Sequence, residues 1–162
     1  MTYRIALVCL GNICRSPMAH VVLEDRIAKA GLDDRVEVVS SGTGGWHQGE
    51  AMDSRAAAVL RGSGYDPSRH VARTFNTDWF AGNDLLLAMD LSNQADMVDQ
   101  APTVAEQSRV RMFREFDPDA SEGDNEVPDP WYGGDEGFAA VLTMIERTAD
   151  QLVAQLPDLL ES

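Results

Sequence analysis

The chain is poor in cysteine, in lysine and in long apolar runs, and each shortage narrows what the protein can be. Its 162 residues hold two cysteines, Cys9 and Cys14, too close together to staple distant parts of a fold. A disulfide framework is therefore excluded as the source of stability, and a reducing compartment is the natural setting. No apolar run reaches the length that crosses a bilayer, and the amino terminus carries Arg4 before strand-like residues instead of a signal-peptide pattern. We expect a cytoplasmic protein without membrane insertion. Basic residues number 13 against 27 acidic ones, for a formal charge of −14. That balance argues against nucleic-acid binding, which needs a basic face to neutralise phosphates. It serves solubility, and it would suit substrates with basic flanks. Lys29 is the only lysine beside twelve arginines, a usage that reads as codon bias.

What is present begins with Cys9-Leu10-Gly11-Asn12-Ile13-Cys14-Arg15-Ser16-Pro17. The apolar run at 5–8 before it has the character of a buried parallel strand, and residues 18–30 after it carry helical periodicity that stops at Gly31. A loop between a strand and a helix amino end collects N–H groups on one spot, which favours an anion. Gly11 allows close backbone approach, and Asn12 is the non-glycine type that best tolerates a left-handed conformation. Arg15 offers a bidentate contact to two phosphoryl oxygens, which lysine cannot reproduce. Cys9 is useful as a nucleophile only as thiolate, the form that such an array favours. Ser16 can donate a hydrogen bond to its sulfur, and Pro17 suits the first turn of a helix. The segment thus reads as a phosphate cradle formed by Leu10, Gly11, Asn12, Ile13, Cys14 and Arg15, with a nucleophile in its floor.

Further along, strand and helix signals alternate without a break, and the whole of 1–162 reads as one α/β domain with helices on both faces of a parallel sheet. Strands are expected at 36–40 and 84–89, with a fourth, nearer an edge, at 109–116. Helices are expected at 52–60, from about Ser92, and at 136–156, whose inner stripe includes Phe138, Val141, Leu142, Ile145, Leu152 and Val153. Residues 71–75 suit a short extended piece or a loop. Residues 117–135, rich in Asp, Pro, Gly and Glu, form a long loop, of the kind more often functional than idle. That loop holds Asp129-Pro130-Trp131-Tyr132-Gly133, and Asp129 is the best candidate for a general acid that protonates a leaving oxygen and then activates water. Trp131, Tyr132 and Trp46 are candidate walls for an aromatic ring. Two cysteines and three scattered histidines make no zinc pattern, and the scheme uses no metal or cofactor.

The nine-residue loop near the amino terminus, paired with the Asp-Pro-Trp-Tyr loop near the carboxyl terminus, resembles the low-molecular-weight protein tyrosine phosphatases. The likeness runs through the order of elements, Val39-Ser40-Ser41, Met89-Asp90 and Asp129-Pro130. It implies a three-layer domain with a four-stranded parallel sheet in the order 2-1-3-4 and the phosphate-binding loop after the first strand. It also implies hydrolysis of phosphotyrosine in proteins through a phosphocysteine, by a monomer or weak dimer. By the same resemblance, His70 hydrogen-bonds the loop residue Asn12 with help from Ser41, and Cys14 can form a protective disulfide with Cys9. From the residues alone, Cys14 is equally a packing residue, Asp129 a turn residue, and Trp131 and Tyr132 anchors of the loop. His20 and His47 read as surface or packing residues. Arsenate reductases of similar fold need further cysteines toward the carboxyl end, and none follows Cys14. Arginine phosphatases of the fold carry Thr where Ile13 stands, so Ile13 favours tyrosine. A non-catalytic phosphate binder or redox sensor would have no use for Asp129.

Overall fold

The computed structural model describes residues 2–131 and 133–161. Four parallel strands, β1 (Tyr3–Cys9), β2 (Val36–Gly42), β3 (Leu85–Ala88) and β4 (Val110–Met112), lie in the order β2-β1-β3-β4. Ile5, Ala6, Leu7 and Val8 are fully buried, as are Leu86, Leu87 and Ala88. Continuous apolar runs are what central strands covered on both faces require. β2 lies at one edge and leaves Glu37 exposed.

The helices are α1 (Arg15–Lys29), α2 (Ser54–Gly62), α3 (Trp79–Gly82), α4 (Leu91–Asp99), α5 (Val104–Gln107) and α6 (Asp135–Leu160). One core joins Ile5, Leu7 and Leu87 to Met18 and Leu23 of α1, Leu60 of α2 and Phe138, Ile145 and Leu152 of α6. The other joins Ala6, Val8, Leu86 and Met112 to Phe80 of α3 and Met97 of α4. Adjacent strand residues thus feed opposite layers, as the two-residue repeat of a strand dictates. The architecture is the expected three-layer α/β arrangement, and the strand order matches as well. Among the described residues no helix is long and apolar enough to cross a membrane.

The largest boundary differences from the sequence reading are three. The strand expected at 109–116 ends at Met112, and Phe113–Phe116 is a 3-10 turn. Phe113 and Phe116 are both buried, and their three-residue spacing fits that turn, whereas alternation would put them on opposite faces. Helix α1 starts at Arg15, three residues before the expected onset. Helix α6 runs through Pro157 to Leu160. The proline lies in the final turn, where one missing N–H interrupts little of the ladder. The single-turn helices α3 and α5 carry no periodicity that a sequence could reveal. Thr74, in the ambiguous 71–75 piece, makes an isolated parallel bridge to Gly42.

Order β2-β1-β3 means that the chain leaves β1 in one direction and later returns on its other side. The crevice at the carboxyl ends of β1 and β3 is therefore the place where loops converge and ligands bind. The loop after β1 sits there. The loop following the 3-10 turn is brought to the same place when Val127 donates its N–H to the Met89 carbonyl, at 2.7 Å.

Candidate active site

Residues 9–15 wrap around one end of a cleft of about 210 Å³ lined also by Trp46, His47, Asp129 and Trp131. The carbonyls of Cys9, Leu10, Asn12, Ile13 and Cys14 all accept hydrogen bonds from outside the cleft. The donors are the N–H groups of Thr43, Gly44, Asp53 and Met18, with His70 Nε2 on Asn12. The peptides are trans throughout the described residues, so each following N–H points opposite its preceding carbonyl. The N–H groups of Leu10, Gly11, Ile13, Cys14 and Arg15 are thereby turned from the scaffold toward the cleft. Together with the amino end of α1 they form a concave, electropositive nest. Gly42 makes this packing possible, since a Cβ there would lie 2.6 Å from the Leu10 carbonyl and 2.9 Å from the Asn12 nitrogen.

Asn12 is the keystone of the loop. It holds φ at 57°, the only positive value outside glycine among the described residues. Its Oδ1 accepts from the Arg73 N–H at 2.9 Å, which fixes the amide so that Nδ2 donates to Ser16 Oγ at 2.8 Å and Ser40 Oγ at 3.1 Å. Having accepted from Asn12, the Ser16 hydroxyl has its proton available for Cys9 Sγ, 2.9 Å away; the alternative acceptor, the Ser41 carbonyl, is at 3.4 Å. Asn12 thus shapes the cradle and leaves the Ser16 proton free to be given to the sulfur when Cys9 is thiolate.

His70 reaches the Asn12 carbonyl at 2.7 Å, so Nε2 carries a proton. Burial lowers its pKa, with the nearby His20 and Arg73 acting in the same direction and the bond to Asn12 opposing. Ser41 does not make the expected contact: its buried hydroxyl has no hydrogen-bond partner among the described residues. Ser40 takes that place, joined to Asn12 and, at 3.2 Å, to His20 Nδ1. Neighbouring strand residues face opposite sides, so a shift of one position selects a different serine.

Arg15 is 3% exposed, and its guanidinium is held at 2.6 Å by Asp90 Oδ2 and at 3.1 Å by the Val127 carbonyl. Burial disfavours its charge, but Cys9, Asp90 and Asp129 outweigh that and raise its pKa. Asp90 enters the sequence reading only as part of the family likeness, with no role in the site. It also caps α4, taking the Asn93 N–H on Oδ1 at 2.7 Å.

Asp129 Oδ2 stands 3.7 Å from Arg15 Nη2, and its Oδ1 accepts from the Trp131 N–H at 3.0 Å. Trp46 is 71% exposed and folds its ring over Gly44, where any side chain would collide with the indole. With Trp131, 39% exposed, it stands at the rim. Tyr132, expected beside them, lies outside the described residues. His47, expected as a surface or packing residue, joins the lining: its ring lies 6.1 Å from that of Trp131, and a Cβ on Gly11 would stand 3.0 Å from its Cδ2. Cys14 lines the cleft as a buried free thiol, its pKa pushed up to about 12 by burial and by the charges of Asp53, Cys9 and Asp129, against the opposing effect of Arg55.

The profile of low molecular weight phosphotyrosine protein phosphatases matches residues 4–160. The chain belongs to this family. It is 45% identical over 161 residues to a low molecular weight protein-tyrosine-phosphatase of Streptomyces coelicolor, covering 99% of this chain and 98% of that one. It is 44% identical to protein-tyrosine phosphatase A of Mycobacterium tuberculosis, across 88% of this chain and 84% of the relative. Among solved structures, a protein tyrosine phosphatase from Entamoeba histolytica with Hepes in its active site superposes with a TM-score of 0.91 at 31% identity, covering 97% and 98% of the two chains. YfkJ from Bacillus subtilis gives 0.89 at 30%, covering 98% and 97%. The phosphatase is thus an enzyme of the phosphoric monoester hydrolase class, and the cleft between its Cys-x5-Arg loop and Asp129 is the candidate site.

Proposed function

We propose that the protein hydrolyses phosphotyrosine in phosphoproteins through a phosphocysteine intermediate on Cys9. The observation that carries this reading is the arrangement of Cys9, Ser16, Arg15 and Asp129 around one cleft, each already hydrogen-bonded or paired in a way that suits its task. Phosphate dianion settles in the nest of N–H groups, with Arg15 bridging two of its oxygens. The Cys9 thiolate attacks phosphorus and the P–O bond to the phenol breaks, while Asp129 gives its proton to the departing oxygen. Water then attacks the phosphocysteine, Asp129 takes back a proton, and the P–S bond breaks to release phosphate and the thiolate. Ser16, donating to the sulfur, makes it the better leaving group in this second step. The N–H groups and Arg15 stabilise charge spread over the phosphoryl oxygens throughout.

The indole walls at 46 and 131 suit an aromatic phosphate ester, and Ile13 in the loop favours tyrosine over phosphoarginine. We place the activity in the cytoplasm, with the whole chain acting as one catalytic domain. The test is turnover of phosphotyrosine, phosphoserine and phosphoarginine substrates with chelator present, by wild type and Cys9→Ser. Selective phosphotyrosine hydrolysis that vanishes in the folded variant is the expected result. Full turnover by Cys9→Ser would sink the reading.

A further inference from the structure

Resting on that phosphatase reading, we propose that Arg55 is a positioning residue that aims Asp129 at the leaving oxygen. Arg55 stands on the first turn of α2, yet its guanidinium is spent on the loop of the general acid. Nη1 donates to the Trp131 carbonyl at 3.0 Å and approaches that of Gly133 at 3.5 Å. The same guanidinium lies 5.1 Å from the centre of the Trp131 ring and 4.7 Å from that of Phe138, near the start of α6. Trp131 is therefore gripped by its backbone and by its indole at once. Trp131 in turn gives its N–H to Asp129 Oδ1, which leaves Oδ2 as the oxygen on the Arg15 side. Two hydrogen bonds thus connect Arg55 to the orientation of the Asp129 carboxyl group.

The other end of the connection is equally well defined. Nε and Nη2 of Arg55 pair with the two oxygens of Asp53, at 3.3 Å each, and Asp53 gives its own N–H to the Ile13 carbonyl at 2.9 Å. Arg55 therefore ties the loop carrying the proton donor to the segment that holds the phosphate cradle. Arg15 and the Met89 carbonyl hold the acid loop by hydrogen bonds at Val127, and beyond it Arg15 meets Asp129 Oδ2 only at 3.7 Å, so the aim of the carboxyl group rests on the shorter bond from Trp131.

A group that orients a general acid has a kinetic signature that a group supporting the fold lacks. Phenol is a poor leaving group and needs its proton, whereas 4-nitrophenol leaves readily without one. We would measure kcat/KM, which reports on the steps through phenol departure, for phenyl phosphate and 4-nitrophenyl phosphate in wild type, Arg55→Met and Arg55→Lys. Arg55→Met is expected to lower kcat/KM about tenfold or more for phenyl phosphate and less than about threefold for 4-nitrophenyl phosphate, the size expected when a transfer worth 10²–10⁴ in rate is misaligned. Arg55→Lys, which keeps a cation but not the fork or the stacking, should lie closer to Arg55→Met than to wild type. The ratio of the two substrates cancels the amount of folded enzyme, so partial unfolding cannot imitate it. In an Asp129→Asn background, Arg55→Met should change that ratio by less than twofold. Equal losses on both substrates, or the same ratio change with Asp129 absent, would overturn the proposal. If wild type hydrolysed neither ester, the phosphatase reading itself would fail.

Discussion

Replacing Asn12 by alanine removes the amide that shapes the cradle and asks a β-carbon to sit at a φ of 57°. The left-handed conformation costs an ordinary residue roughly 1–2 kcal/mol. Three side-chain hydrogen bonds disappear with the amide, from Arg73 N–H, to Ser16 and to Ser40. Ser16 and Ser40 retain Cys9 and His20 as neighbours, so their losses sit near the lower end of the usual 0.5–1.5 kcal/mol per bond, while the Arg73 N–H loses its acceptor and sits near the upper end. The sum is about 3.5–4.5 kcal/mol, which in a chain of this size lowers Tm by roughly 10 °C. Asn12→Gly separates the two contributions. Glycine is free of the steric penalty but loses somewhat more backbone entropy on folding, so this variant should recover about 1 kcal/mol relative to alanine while turnover stays low. Turnover stays low because the Ser16 hydroxyl, without the Asn12 donor to orient it, no longer directs its proton at Cys9. Urea unfolding under reducing conditions, with kcat measured on the same preparations, checks both parts. Alanine within 1 kcal/mol of wild type, or glycine less stable than alanine, would refute the reasoning.

Three further outcomes follow from the site. Asp129→Ala should lose kcat/KM on phenyl phosphate by about a hundredfold or more while the inhibition constant for inorganic phosphate moves little, because the carboxyl acts in proton transfer; equal losses in both would make it a structural loop residue. Cys14, raised to about 12 from an unfolded value near 9, binds its proton more tightly in the folded chain, so its contribution is intact below pH 9 and drains away as pH rises toward 12. Unfolding titrations of wild type and Cys14→Ala over that window should differ in slope by about 1.4 kcal/mol per pH unit, and identical slopes would contradict the burial argument. If Cys14 also shields the nucleophile by pairing with it, peroxide inactivation should be reversed by thiol in wild type and become permanent in Cys14→Ala, whereas recovery in the variant would leave Cys14 a packing residue.

The cradle was legible in the sequence because its parts are contiguous: a buried strand, nine loop residues and a helix onset put Cys9, Asn12, Arg15 and Ser16 in one turn of chain. What stayed hidden depends on residues that do two things or on a choice between neighbours. Asp90 divides its carboxylate, one oxygen capping α4 and the other holding Arg15, and only the cap has a local signature. Ser40 and Ser41 are equivalent as letters, and the pleat of β2 alone decides that Ser40 turns its hydroxyl to Asn12. His47 and Arg55 come from the stretch between β2 and the body of α2, where no periodicity marks a functional face. They matter because the crevice between β1 and β3 gathers that stretch, the cradle and the Asp129 loop at one end of the sheet. Phosphate binding is therefore encoded locally, by a loop whose carbonyls at Cys9, Leu10, Asn12, Ile13 and Cys14 are bonded away from the cleft. Proton transfer is encoded by tertiary contacts, since the Asp129 loop is held at the cradle by Arg15 and Met89 at Val127, by Arg15 at Asp129 itself and by Arg55 at Trp131. Substitution of Arg55, the anchor whose side chain lies outside the cradle, should accordingly spare phosphate affinity more than the departure of a poor leaving group, a division that no single motif in the chain could have announced.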